Sequence, residues 1–221
     1  MTNKIFRVFL GLVATAMIAS PALAVNLLAN PGFEVPPIPG GGPPEYFGAP
    51  GWTDFGGTTF TIGSVVFGPA GPHGGVQGMK MFAFGGIFQQ FAANAGETWD
   101  GSTYMLNDTA DLMTNSQVAA INIEWINAGG TNIGTVFGGT ISAASASNVW
   151  SLQTASGIAP VGTAFARLVL ITGDFAGPLG FGGAPRFDDA SLGLRAVPVP
   201  AAVWLFGSGL GLLGAFRRRS A

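Results

Sequence analysis

The chain has 221 residues, 48% of them hydrophobic and only 9% charged, with no cysteine and a net charge of −2. Disulfide staples and thiolate metal sites are excluded, so a folded region must rely on core packing or on an oxygen-ligated ion. Residues 25–196 hold four basic residues, Lys80, Arg167, Arg186 and Arg195, against all eleven carboxylates, a net of −7. That charge is repelled by phosphate backbones and argues against nucleic acid as a partner.

Residues 1–24 carry the parts of a secretory signal. Lys4 and Arg7 form a positive start, Val8 to Ile18 an apolar run, and Ala22-Leu23-Ala24 the small residues that precede a cleavage after Ala24. The apolar run is too short to span a bilayer comfortably.

The mature region, 25–196, opens on Asn26-Leu27-Leu28-Ala29-Asn30-Pro31-Gly32-Phe33-Glu34. A Pro/Gly-rich stretch follows to Pro50, read as a long surface loop that holds Tyr46 and Phe47. Short β-like runs come next: Phe60 to Phe67, Met79 to Phe84, Gly86 to Phe91 and Glu97 to Leu106. Ala119, Ile121, Ile123 and Trp125 then alternate with Ala120, Asn122 and Glu124, a strand with one apolar face. Asn127 to Gly130 supplies a turn before Ile133 to Ile141, and Trp150 to Ala155, Phe165 to Ile171 and Arg186 to Leu194 complete the set. No helical period persists over three turns. The expectation is an all-β fold, a two-sheet β-sandwich.

The last segment, 197–221, reads Val197-Pro198-Val199-Pro200, then Ala201 to Phe216 without charge, then Arg217, Arg218 and Arg219. Those sixteen uncharged residues would span ~24 Å as a helix, and residues from Val197 extend it toward the ~30 Å hydrocarbon core. The arginines should stay cytoplasmic and place the domain outside. The prolines mark a non-helical entrance open to a processing enzyme.

This tail, with its proline motif, Trp204-Leu205-Phe206-Gly207-Ser208-Gly209 helix and arginine cluster, resembles the PEP-CTERM sorting signal. Val199 stands where the family's naming glutamate would be. The resemblance implies recognition by exosortase, a membrane enzyme of Gram-negative bacteria that make extracellular polysaccharide. It also implies a transient stay at the inner membrane, followed by release to the cell surface or matrix.

A second resemblance covers most of the mature chain. The opening Asn-Leu-Leu-x-Asn-x-Gly-Phe-Glu, the central Phe88-Gln89-Gln90-Phe91 with Ala95-Gly96-Glu97-Thr98-Trp99, and the closing Phe187-Asp188-Asp189-Ala190-Ser191-Leu192 look like galactose-binding-like jelly rolls. Many carbohydrate-binding modules share that fold. The resemblance implies a structural Ca²⁺ held by Glu34 with Asp188 or Asp189, whose hard oxygens suit that ion. Because strand neighbours point to opposite faces, only one of the two aspartates is expected on the ligand side.

Catalytic chemistry finds little support. His73 is the only histidine, which leaves no second partner for a histidine metal site or triad. Glu97, Asp100, Asp108 and Asp111 cluster at turns, where aspartate bonds backbone, and Glu124 lies opposite its strand's apolar face. Trp52, Trp99, Trp125 and Trp150 are expected chiefly in cores, while Tyr46 and Phe47 are the candidates for exposed sugar contact. The reading is a non-enzymatic surface or matrix protein associated with exopolysaccharide. Its alternatives are a specific carbohydrate-binding module and a hydrolase using two carboxylates.

Overall fold

The computed structural model describes residues 25–38, 46–174 and 182–195. The expected signal segment with Ala24, and the expected sorting tail with Val197, Pro198, Val199, Pro200, Arg217, Arg218 and Arg219, lie outside the described residues. So does the side chain of Tyr46.

The described strands are β1 (Tyr46–Phe47), β2 (Thr53–Phe55), β3 (Thr58–Gly63), β4 (Gln77–Phe82), β5 (Gly85–Ala92), β6 (Thr98–Leu106), β7 (Gln117–Ile126), β8 (Asn132–Ser142), β9 (Ser151–Ile158), β10 (Phe165–Asp174) and β11 (Arg186–Leu194). They form two antiparallel sheets, ordered β1-β3-β4-β11-β6-β9 and β2-β5-β10-β7-β8. This is the two-sheet sandwich that the strand pattern predicts. Among the described residues no helix is long and apolar enough to cross a membrane.

The core follows from the period of two. Met79, Met81, Met105 and Phe187 face inward from the six-stranded sheet and meet Ile87, Ile121, Ile123, Leu168 and Leu170 from the other. Trp125, 3% exposed, joins Ile121 and Ile123 as its alternation predicts, and Trp52 and Trp99 are also in the core. Gly101 keeps the sheets close, for a Cβ there would stand 2.7 Å from Leu168 Cδ1.

A smaller cluster lies on the outer face of the six-stranded sheet. Ile62, Phe67 and Leu106 pack there with Phe60 and Trp150. The run expected as one strand over Phe60 to Phe67 breaks to make it: β3 ends at Gly63, and Ser64–Val66 form a 3-10 turn that carries Phe67 over the sheet. Under this cover Arg186 and Asp108 form a buried ion pair at 3.4 Å, with side chains 1% and 0% exposed.

Tyr46 and Phe47 are not loop residues. They pair with Thr61 and Phe60 as an edge strand, too short for any sequence period to reveal. The segment before them laces the domain closed. Leu27 N donates to Leu192 O, Ala190 N to Pro31 O, and the Asn26 side chain bonds the backbone of Ala190 and Leu192. The Gln89 side chain exchanges two hydrogen bonds with Ala29 and holds the same segment to the five-stranded sheet.

Candidate functional site

The three acids singled out by the jelly-roll resemblance, Glu34, Asp188 and Asp189, come together beside the loop at His73 to Gln77. Glu34 Oε1 accepts the backbone N–H groups of Val76 and Gln77, each at 2.9 Å. Asp188 Oδ2 accepts those of His73 (2.9 Å) and Gly74 (3.0 Å), while its Oδ1 accepts Asp189 N at 2.8 Å. Asp189 Oδ2 lies 2.6 Å from His73 Nδ1.

The two aspartates share a side, contrary to the expectation that strand neighbours diverge. β11 carries a bulge between Asp188 and Ser191, and Asp189 adopts a left-handed φ of 45°. An extra residue in one strand re-aims its side chain, and aspartate tolerates that backbone region better than most residues. A Cβ on Gly32 would sit 3.3 Å from Asp189 Oδ1, 3.8 Å from Asp188 Oδ1 and 3.8 Å from Glu34 Cγ. The three acids thus border one small space beside Gly32. Gly74 serves likewise, since a Cβ there would meet Asp189 Oδ2 at 2.5 Å.

Burial raises the Asp188 carboxyl to about 7, and the nearby Asp189 charge pushes the same way, against the lowering pull of three backbone N–H groups. A hard cation beside it would relieve that cost, and carboxylate oxygens are suitable ligands. Glu34 Oε1 and both Asp188 oxygens, however, already accept amide protons, and among the described residues no group of three His, Cys, Asp or Glu is placed to hold a metal.

His73 is tied into this cluster, which sequence reading missed. Its ring stacks on Tyr104 at 3.5 Å and 18°, and meets Trp150 edge-on at 5.8 Å. The histidine therefore has an orienting carboxylate and an aromatic seat. Gly74-Gly75 directly after it was the available signal, since consecutive glycines often mark close backbone approach.

The remaining described carboxylates have partners of their own. Asp54 accepts Thr59 Oγ1, Glu97 bonds Asn94, and Asp174 accepts Ser116 Oγ. Asp100, Asp111 and Glu124 pair with Arg195, Lys80 and Arg167. Asp108 caps its own turn at Ala110 N and also receives Gly68 N.

Phe47 is 82% exposed, and its ring leans on Phe60 at 4.8 Å. Trp150 is half-buried in the outer cluster, where its indole N–H donates to Gly71 O.

No family model matches the chain, and no curated protein matches it. Solved structures do. A Stig cyclase from Fischerella sp. TAU, in complex with (3Z)-3-(1-methyl-2-pyrrolidinylidene)-3H-indole, is similar at 12% identity and TM-score 0.56, over 79% of this chain and 100% of that one. A cyclase from the same organism, with 4-(1H-indol-3-yl)butan-2-one, is similar at 11% identity and TM-score 0.55, over 80% and 100%. The xylan-binding domain from Paenibacillus barcinonensis Xyn10C gives 12% identity and TM-score 0.43, over 66% of this chain and 86% of that one. At such identities the cyclases share with this chain a β-sandwich fold.

Proposed function

We propose that this is an exported, non-enzymatic cell-surface or matrix protein whose β-sandwich associates with extracellular polysaccharide. The observation that supports the non-catalytic reading is the tie of the described carboxylates to backbone amides, hydroxyls or basic side chains; even Glu34, Asp188 and Asp189, which share one small space, are held by the 73–77 loop.

Export rests on the sequence alone, on the signal-like residues 1–24 and the PEP-CTERM-like tail. An exosortase-type enzyme would act near Val197 to Ala201, after transient retention at the inner membrane through Arg217 to Arg219. Glu34, Asp188 and Asp189 are the proposed holders of a structural Ca²⁺, supported by their common space at Gly32. Tyr46 and Phe47 offer one aromatic contact for sugar.

Two measurements on the full chain test the reading. Intact mass of the surface-extracted protein should lack the three arginines, and should retain them when the sorting enzyme's gene is deleted. A surface species that keeps the whole tail removes the processing claim. Co-sedimentation with the host's own polysaccharide tests the rest, and protein left wholly in the supernatant would remove it.

A further inference from the structure

One long stretch of the chain, Trp125 to Ala166, holds no Asp, Glu, Lys, Arg or His. It contains all of β8 and β9, the terminal strands of the two sheets. The two strands lie at the same rim of the sandwich. A Cβ on Gly138 of β8 would stand 2.7 Å from the Cβ of Ala155, which faces the core. One on Gly157 of β9 would stand 2.5 Å from Val136 Cγ2. Glycine at these positions lets β8 pass close beneath β9 on its core side.

Edge strands are normally guarded by charge, proline or a bulge, because their free N–H and C=O groups accept another strand. β8 has such a guard in the bulge around Gly138-Gly139, where its register against β7 shifts. β9 has none of the three. Its Ser151–Ile158 run pairs with β6 in unbroken register, and β6 is its one neighbour among the described strands. On the outer face it presents Leu152, 51% exposed, and Ile158, 65% exposed, with Thr154 and Ser156 between them. The Arg195–Asp100 pair touches β9 only at Ser156 Oγ, and its two charges cancel.

We infer that β9 is a self-association edge, which pairs antiparallel with the β9 of a second copy about a two-fold axis. The strand is complementary to itself. With Ala155 on the axis, Leu152 of each copy falls opposite Ile158 of the other, and Thr154 falls opposite Ser156. Two apolar pairs and two hydroxyl pairs then cover side chains that the single chain leaves exposed, and cross-strand pairs of both kinds stabilise a sheet. Residues directly opposed share a face, so the two cores stay on one side of the joined sheet.

Charge selects a second copy as the occupant. Two domains of net −7 repel through their ionised surfaces, and this rim lets them meet without opposing like charges. Association should therefore strengthen as salt screens that repulsion, the reverse of an interface built on ion pairs. A contact one strand long is smaller than a standard interface of about 1,600 Å², which makes the pairing reversible.

Cross-linking tests the register directly, because the chain has no cysteine of its own. Leu152→Cys and Ile158→Cys are made in separate full chains, mixed in a non-ionic detergent and treated with a short bismaleimide. The mixture should give linked dimers several-fold above either variant alone, since like positions lie six residues apart, about 20 Å along the paired strands. The yield should rise with salt. Adding Thr154→Lys to both chains should abolish it, with the melting temperature unchanged, because a charge then sits in the middle of the edge. A mixture no more linked than its components would overturn the pairing. So would dimers that survive Thr154→Lys, which would place the contact elsewhere in the chain, or a yield that falls with salt.

Discussion

His73 Nδ1 meets Asp189 Oδ2 at 2.6 Å across 116 residues of sequence, and the same imidazole stacks on Tyr104. Because the pair is partly exposed, 30% for His73 and 42% for Asp189, its ionic contribution is screened and the ring stack should dominate. His73→Ala should therefore destabilise the domain by about 1–2 kcal/mol, and Asp189→Asn by less. Urea unfolding of both single variants and the double variant gives the coupling directly. Independent, additive losses would show that the two groups are only neighbours.

Asp188 predicts a pH dependence with a definite sign. Burial lifts its carboxyl to about 7 in the folded protein, above the ordinary ~3.9 of an unfolded chain. Between those values the folded state holds a proton that the unfolded chain has released. Its contribution to stability is thus full below about pH 4 and is lost as pH rises toward about 7. Thermal melts in chelator should fall over that window for wild type, and this component should vanish in Asp188→Asn. Saturating Ca²⁺ should flatten the fall by favouring the ionised form, and at 100 times its Kd would add ~2.7 kcal/mol. Melts indifferent to both Ca²⁺ and chelator would remove the ion from the cluster.

The buried Arg186–Asp108 pair makes a strong prediction. Asp108→Ala removes the carboxylate from a buried guanidinium beneath Phe67 and strips Gly68 N and Ala110 N of their acceptor. Removing one partner of a buried pair typically costs about 3–5 kcal/mol. Chemical denaturation is the measurement. A loss below about 1 kcal/mol would show the pair to be solvated like a surface bridge.

Two aromatics should behave oppositely. Trp125→Ala truncates a side chain that is 3% exposed and should cost about 3–5 kcal/mol. Phe47→Ala removes one that is 82% exposed and should stay within roughly 0.5 kcal/mol. Parallel urea curves for the two variants decide the matter.

Much of this architecture is written in the pattern of side chains. Ala119 to Trp125 alternates cleanly because β7 is an interior strand with one face in the core, and the turn at Asn127 to Gly130 follows where its residues require. What escaped is what alternation does not encode. β1 is two residues long, and β3 stops at Gly63 because Phe67 has an outer cluster to join. The meeting of Glu34 with Asp188 and Asp189 was legible through resemblance. The bulge that turns both aspartates to one side was not, since a positive φ at Asp189 leaves no mark in composition. His73 looked alone because its partners, Tyr104 and Asp189, are distant in sequence and near only once two strands pair.

The lacing of Asn26 to Ala190 and Leu192 spans 164 and 166 residues. No shorter nascent chain can make those bonds. Until the final strand emerges, the opening segment has no groove to enter, and Glu34 has no aspartates beside it. Contacts of such long range form late and slowly, because the intervening loop must first be closed. A chain threaded through a membrane N-terminus first would reach the far side with its latch still open, and would shut it only when the last of the domain arrived. The two bonds that seal the finished sandwich are thus absent from every unfinished one.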